Sequence, residues 1–128
     1  MKNVLRVVTG LLGAVFFVMG LLWILSPSEI AEKLGIFGLL ETKDLALSTQ
    51  IGDLGSFFIT VGAMTLIGAL TQTRHWFYAP SMLLLVAALF RSLAYKFHGA
   101  PPATEQIIIE VVVGLFLIFA GSRISKES

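Results

Sequence analysis

Val7–Leu25 reads VVTGLLGAVFFVMGLLWIL, an unbroken apolar run without a single charged residue. A bilayer core about 30 Å thick calls for a helix of about 20 such residues. Lys2 and Arg6 precede the run, and it closes on Trp23 and then Ser26-Pro27. A cleavable signal has an apolar core of only about 7–15 residues followed by a small-residue cleavage site, so this block is expected to be a retained membrane span. Working outward from it, three more blocks of the same kind follow, and the spans are expected at about 7–25, 51–70, 76–95 and 107–122. The fold class is therefore all-α: an integral membrane four-helix bundle in a single domain over 1–128, with a short interfacial helix after the first span.

Composition agrees with this. Hydrophobic residues make up 56% of the chain and charged ones 13%, against roughly 45–50% and about 25% in an average soluble domain. A net charge of +1, with no basic run interleaved with aromatics, argues against a nucleic-acid partner. The absence of cysteine removes thiolate metal sites, cysteine nucleophiles and disulfides. No H-E-x-x-H, G-x-S-x-G, P-loop or dinucleotide-binding glycine pattern occurs, and no cofactor or metal is expected. His75 and His98 fall at opposite ends of the third span and cannot share a metal.

The short helix is read from Ser26-Pro27-Ser28-Glu29, a capping pattern with proline at the first helical position. Ile30, Leu34 and Phe37 then fall on one face, opposite Glu29, Glu32 and Lys33, as in a helix lying on a membrane surface. In the second span Gly52, Ser56 and Thr60 recur every four residues, with Gly55, Gly62 and Gly68 beside them, a spacing that lets helices approach closely in lipid. Trp76, Phe77 and Tyr78 read as an aromatic belt where the third span enters the membrane, Pro80 as a first-turn proline, Trp23 as an edge anchor, and Thr104 as a cap for the last helix.

Four spans place both termini on one side. Lys2, Arg6, Arg74, Arg123 and Lys126 lie there, which by the positive-inside rule makes that side cytoplasmic. The localisation expected is a cell inner membrane, multi-pass, with both termini cytoplasmic and the lipid bilayer as the first partner.

Three ionisable residues fall inside the spans: Asp53, Arg91 and Glu110. Charges within a bilayer cost about 2.5–3.5 kcal/mol or more at its centre, so they face the bundle interior, pair, and mark function. All three lie near span ends on the extracytoplasmic side, at about one level. Ala87, Ala88 and Arg91 share a face of the third span, and Glu110, Gly114 and Gly121 share one in the fourth. Gln50, Tyr95, His98 and Gln106 lie near the same mouth and are possible contributors. Two readings stand side by side: the cluster locks helices together, or it lines a pocket open to the extracytoplasmic side that takes a polar headgroup, a quinone, a small metabolite or a proton.

These residues carry a resemblance. A first span closing in Ser26-Pro27, Leu34-Gly35 soon after, Gly52-Asp53-Leu54-Gly55 opening the second span, Arg91 ending the third, His98-Gly99-Ala100-Pro101 in the loop and Glu110 early in the fourth together resemble the DoxX-like small bacterial four-helix membrane proteins, especially relatives of unknown function. The resemblance implies a bacterial inner-membrane location and a four-helix bundle. Some DoxX-type proteins are linked, as a subunit beside others, to quinone-coupled sulfur oxidation, and no activity is carried by this to particular residues here. The function expected is a small polytopic membrane protein, non-enzymatic or accessory, that binds a small lipophilic ligand or a membrane protein partner through the cluster. The alternative is a membrane enzyme or redox-accessory subunit acting on a lipid-soluble substrate such as a quinone. A transporter would need ionisable residues through the whole thickness, and the cytoplasmic halves of the spans have almost none.

Overall fold

The fold follows from four apolar helices, three of which bury glycines against their neighbours, with apolar side chains turned outward. The computed structural model describes residues 1–27, 29, 30 and 45–125. Over these the chain forms α1 (Lys2–Leu25), α2 (Leu45–Thr71), α3 (His75–His98) and α4 (Thr104–Ile124). Each is long and apolar enough to cross a membrane. On α1, Val4, Val7, Leu11, Val15, Val18 and Leu21 are exposed; a soluble bundle would carry polar groups on that outer face.

The helices run alternately up and down. α1 packs most extensively on α2 and α3 on α4, and these two hairpins join through α2 against α3 and α1 against α4. Glycines make the α1–α2 seam. A Cβ placed on Gly62 would meet Gly13 O at 2.6 Å and Phe17 Cα at 2.8 Å, and one on Gly13 would meet Gly62 O at 2.9 Å, so the two backbones touch directly. Gly55 and Gly20 continue the seam upward. Gly52, Ser56 and Thr60, by contrast, are exposed. The small residues of α2 thus form two faces, and α1 takes the one bearing Gly55 and Gly62, because Gly13 and Gly20 on α1 offer it matching hollows.

Phe77 is not a belt residue. It is fully buried, seated where Gly68 of α2 and Gly121 of α4 leave room for its ring, and it belongs to the main core with Leu5, Val61, Leu84, Leu117, Ala120 and Ile124. Trp23 likewise is fully buried rather than an edge anchor; it packs with Ile30, Met19, Leu22, Ile51, Leu54 and Phe58. Between α3 and α4 the Ser81 hydroxyl donates to the Gly114 carbonyl at 2.5 Å.

Local chemistry sets the helix ends. Gly99 ends α3 at φ 68, a conformation that favours glycine, and Ala100 N–H closes back on Ala94 O at 3.2 Å. Thr104 does not cap α4: it is that helix's first residue, and its hydroxyl donates to Pro102 O at 3.4 Å. Pro80 lies in the second turn of α3 rather than the first, because that helix begins at His75. After α1, Pro27, Glu29 and Ile30 are helical, and Ile30 N–H donates to Ser26 O at 3.2 Å. These residues do not establish the short surface helix read from the sequence, whose Leu34 and Phe37 lie outside the described residues.

Arg6 does structural work that its place among the topology-setting charges does not reveal. Its Nε donates to Ala69 O at 2.9 Å and an Nη to Leu70 O at 3.3 Å. The last carbonyls of a helix lack partners within it and carry a partial negative charge, so this guanidinium caps α2 from the neighbouring helix.

Candidate functional site

The end of the bundle away from the termini is where the core stops being apolar. On α4, Leu117 and Gly114 are buried, and the same face continues to Glu110, which is buried too. On α3, Leu84 and Ala88 are buried, and the next position on that face is Arg91. The helical repeat carries both faces one turn past the last apolar residue and ends them in opposite charges.

Arg91 Nε donates to Glu110 Oε1 at 2.8 Å, an ion pair and hydrogen bond in one. The two side chains are unequally covered: Arg91 is 43% exposed and Glu110 11%. The guanidinium reaches down to a carboxylate below it and keeps both Nη groups without a hydrogen bond among the described residues. A guanidinium carries five N–H donors in a planar fork, so the pair leaves unused donor capacity at the open end of the bundle.

Depth can be measured from a common origin, since Phe77 touches both Gly68 and Gly121. At about 1.5 Å rise per residue, Arg91 lies about 21 Å above that level, Asp53 about 22 Å and Glu110 about 16 Å. Arg91 and Asp53 thus stand side by side in height, with Glu110 one turn deeper. Asp53 is exposed, and among the described residues its carboxylate has no ion pair or hydrogen bond. The structure brings Arg91 and Glu110 together and leaves Asp53 outside that contact.

Of the possible contributors, Tyr95 and His98 are exposed and Gln106 is half-buried, and none bonds to the ion pair. His98 lines a shallow apolar groove with Phe90, Leu93, Ala94 and Phe97. Gln50 lies in α2, and its side chain is outside the described residues. One group at this end escapes a reading of the sequence: the Trp23 indole N–H is fully buried and has no hydrogen-bond partner among the described residues. Such an orphan costs about 1–3 kcal/mol, and only its packing against α2, which a sequence does not show, distinguishes it from an anchor.

Chemically, the arrangement offers hydrogen-bond donors fixed by a buried counter-charge, with the exposed Asp53 carboxylate at about the same height on α2. The exposed side of the guanidinium can take a further polar group. Comparison of the chain with family models, with curated proteins and with solved structures finds no match.

Proposed function

We propose that this chain is a polytopic membrane protein that binds a small ligand, or a polar group of a partner protein, at the mouth formed by Arg91, Glu110 and Asp53. The carrying observation is the half-engaged guanidinium: Arg91 donates to Glu110 through Nε alone and is exposed at the bundle end. A pair whose only role was to lock α3 to α4 would gain from a second, parallel hydrogen bond, the two-pronged geometry arginine and carboxylate favour. Here that capacity is turned outward.

In this reading the host membrane is a bacterial inner membrane, the termini are cytoplasmic, and the mouth is extracytoplasmic. Arg6, Arg74 and Arg123 at the terminal end support that orientation. The short surface helix and the DoxX-like affiliation belong to the same proposal. They rest on Ser26-Pro27, Gly52-Asp53-Leu54-Gly55, Arg91 and Glu110 as they stand in the sequence.

The test is mass spectrometry of the protein purified in mild detergent from its own host, comparing wild type with an Asp53→Asn, Glu110→Gln variant of unchanged helical content. A small molecule or protein present with the wild type and lost from the variant is the expected result. Identical sets of co-purifying species would reduce the cluster to a helix lock.

A further inference from the structure

The terminal end of the bundle has a groove of its own, far from Arg91. It encloses about 310 Å³ between α1 and α2 and is lined by Asn3, Arg6, Val7, Gly10, Leu66 and Leu70. Gly10 opens it: a Cβ there would meet nothing within 4 Å, whereas one on Gly13, a turn further along α1, would meet Gly62 O at 2.9 Å. The two helices touch at Gly13 and part at Gly10. The polar lining is all at one end of the groove. Arg6 donates to Ala69 O and Leu70 O in the last turn of α2, so its guanidinium sits where the apolar helix gives way to the turn Gln72-Thr73-Arg74. Asn3 lies one turn before Arg6 on the same face of α1. Nε and one Nη of Arg6 are engaged, and the other Nη has no hydrogen bond among the described residues.

A ligand that fits must put an anionic hydrogen-bond acceptor against Arg6 and Asn3 and an apolar chain along Val7, Gly10 and Leu66. Charge at this end has one sign. Lys2, Arg6, Arg74 and Arg123 lie here, while the acids among the described residues, Glu29, Asp53, Glu105 and Glu110, all lie toward the other end. The partial charge at the end of α2, about half an elementary charge, offsets only part of the guanidinium. We infer that the groove holds one anionic phospholipid from the leaflet at the terminal end, its phosphate on the free Arg6 Nη and the Asn3 amide, and an acyl chain across Gly10. Small-molecule sites are mostly apolar clefts of about 300–1,000 Å³ with a few placed polar groups, and the lining here follows that division. Val7 and Leu70 are exposed, so the apolar part opens on the bilayer itself. The two bonds from Arg6 to α2 hold the guanidinium in place beforehand, and binding need not order it.

The experiment is native mass spectrometry of the full chain in detergent with equal amounts of phosphatidylglycerol and phosphatidylcholine, repeated with soluble glycerol phosphate. Phosphatidylglycerol should be retained about fivefold over phosphatidylcholine, the effect of one basic residue beside an anionic headgroup. Gly10→Leu fills the groove from a position where an added Cβ meets nothing; it should keep the wild-type unfolding midpoint and lose the preference. Asn3→Ala removes the amide and fills nothing, and it should lower phosphatidylglycerol retention at least about twofold. Arg123→Gln, at the same end but outside the groove, should leave the preference as it is. Equal retention of the two lipids, or an unchanged preference in Asn3→Ala or in a folded Gly10→Leu, overturns the inference. A loss in Arg123→Gln as large as that in Gly10→Leu overturns it too, by tracing the attraction to diffuse charge. Binding of glycerol phosphate with no lipid retained overturns the bilayer as the source.

Discussion

Replacing the two members of the ion pair should have unequal effects, and the inequality follows from their exposure. Arg91→Leu strands the Glu110 carboxylate, which is 11% exposed. Removing one partner of a fully buried pair costs about 3–5 kcal/mol, and because this pair opens toward water on the arginine side the expected cost is about 2–3 kcal/mol. Glu110→Gln leaves an arginine that is already 43% exposed and long enough to carry its charge to water. It also keeps an acceptor oxygen in place, so the expected cost is below about 1 kcal/mol. The double variant strands no charge, only a neutral amide, and it should recover about 1–2 kcal/mol relative to the sum of the singles. The assay is unfolding by SDS titration in mixed micelles at constant detergent, followed by helical circular dichroism and by tryptophan emission in a Trp76→Phe background. Equal costs for the two single variants, or strict additivity in the double, would refute the claim that a buried carboxylate anchors an exposed guanidinium.

Three further outcomes are expected. Gly62→Ala should destabilise by about 1–3 kcal/mol, since its Cβ meets backbone that cannot turn aside, whereas Gly10→Ala, with nothing within 4 Å of a Cβ, should be neutral or stabilising through helix propensity; SDS titration of both variants checks the contrast. Arg6→Met should cost about 1.5–3 kcal/mol by removing charged donors from the last carbonyls of α2, and hydrogen exchange should rise first at Ala69–Thr71. Reporter fusions after Ser125 and within the Pro101 loop should report opposite sides of the membrane, and the same side for both would overturn the four-span topology.

The four helices were legible in the sequence because length and hydrophobicity alone decide whether a segment can span a bilayer, and Val7–Leu25 meets both conditions without reference to any neighbour. Arg91 and Glu110 were legible as members of one cluster with Asp53 because each falls at the same end of its span on a face that continues through Ala88 or through Gly114; residue counts do not decide which carboxylate Arg91 takes. What the sequence withheld was which of several equivalent faces is used. Gly52-x-x-x-Ser56-x-x-x-Thr60 and Gly55-x-x-x-x-x-x-Gly62 are both small-residue stripes on α2, and the choice between them depends on Gly13 and Gly20 of another helix. Phe77 and Trp23 were misread for the same reason. Aromatics near span ends are ambiguous until a pocket such as that between Gly68 and Gly121 is known to receive them. Asp53 shares the height of Arg91, and height is readable from residue counts, while lateral distance is not.

The seat of the Phe77 ring has a mechanical consequence. One side chain keys α2, α3 and α4 together near the terminal end, where Leu5, Ala120 and Ile124 are also buried, while about 21 Å along α3 that helix meets α4 through the half-exposed Arg91–Glu110 pair. The bundle is a lever with its fulcrum at one extremity. A tilt of about 5° of α3 about Phe77 carries Arg91 sideways by about 2 Å over that arm, enough to part a 2.8 Å hydrogen bond. The same rotation leaves the ring itself almost stationary, so strain applied anywhere along α3 is delivered as displacement where Arg91 meets Glu110.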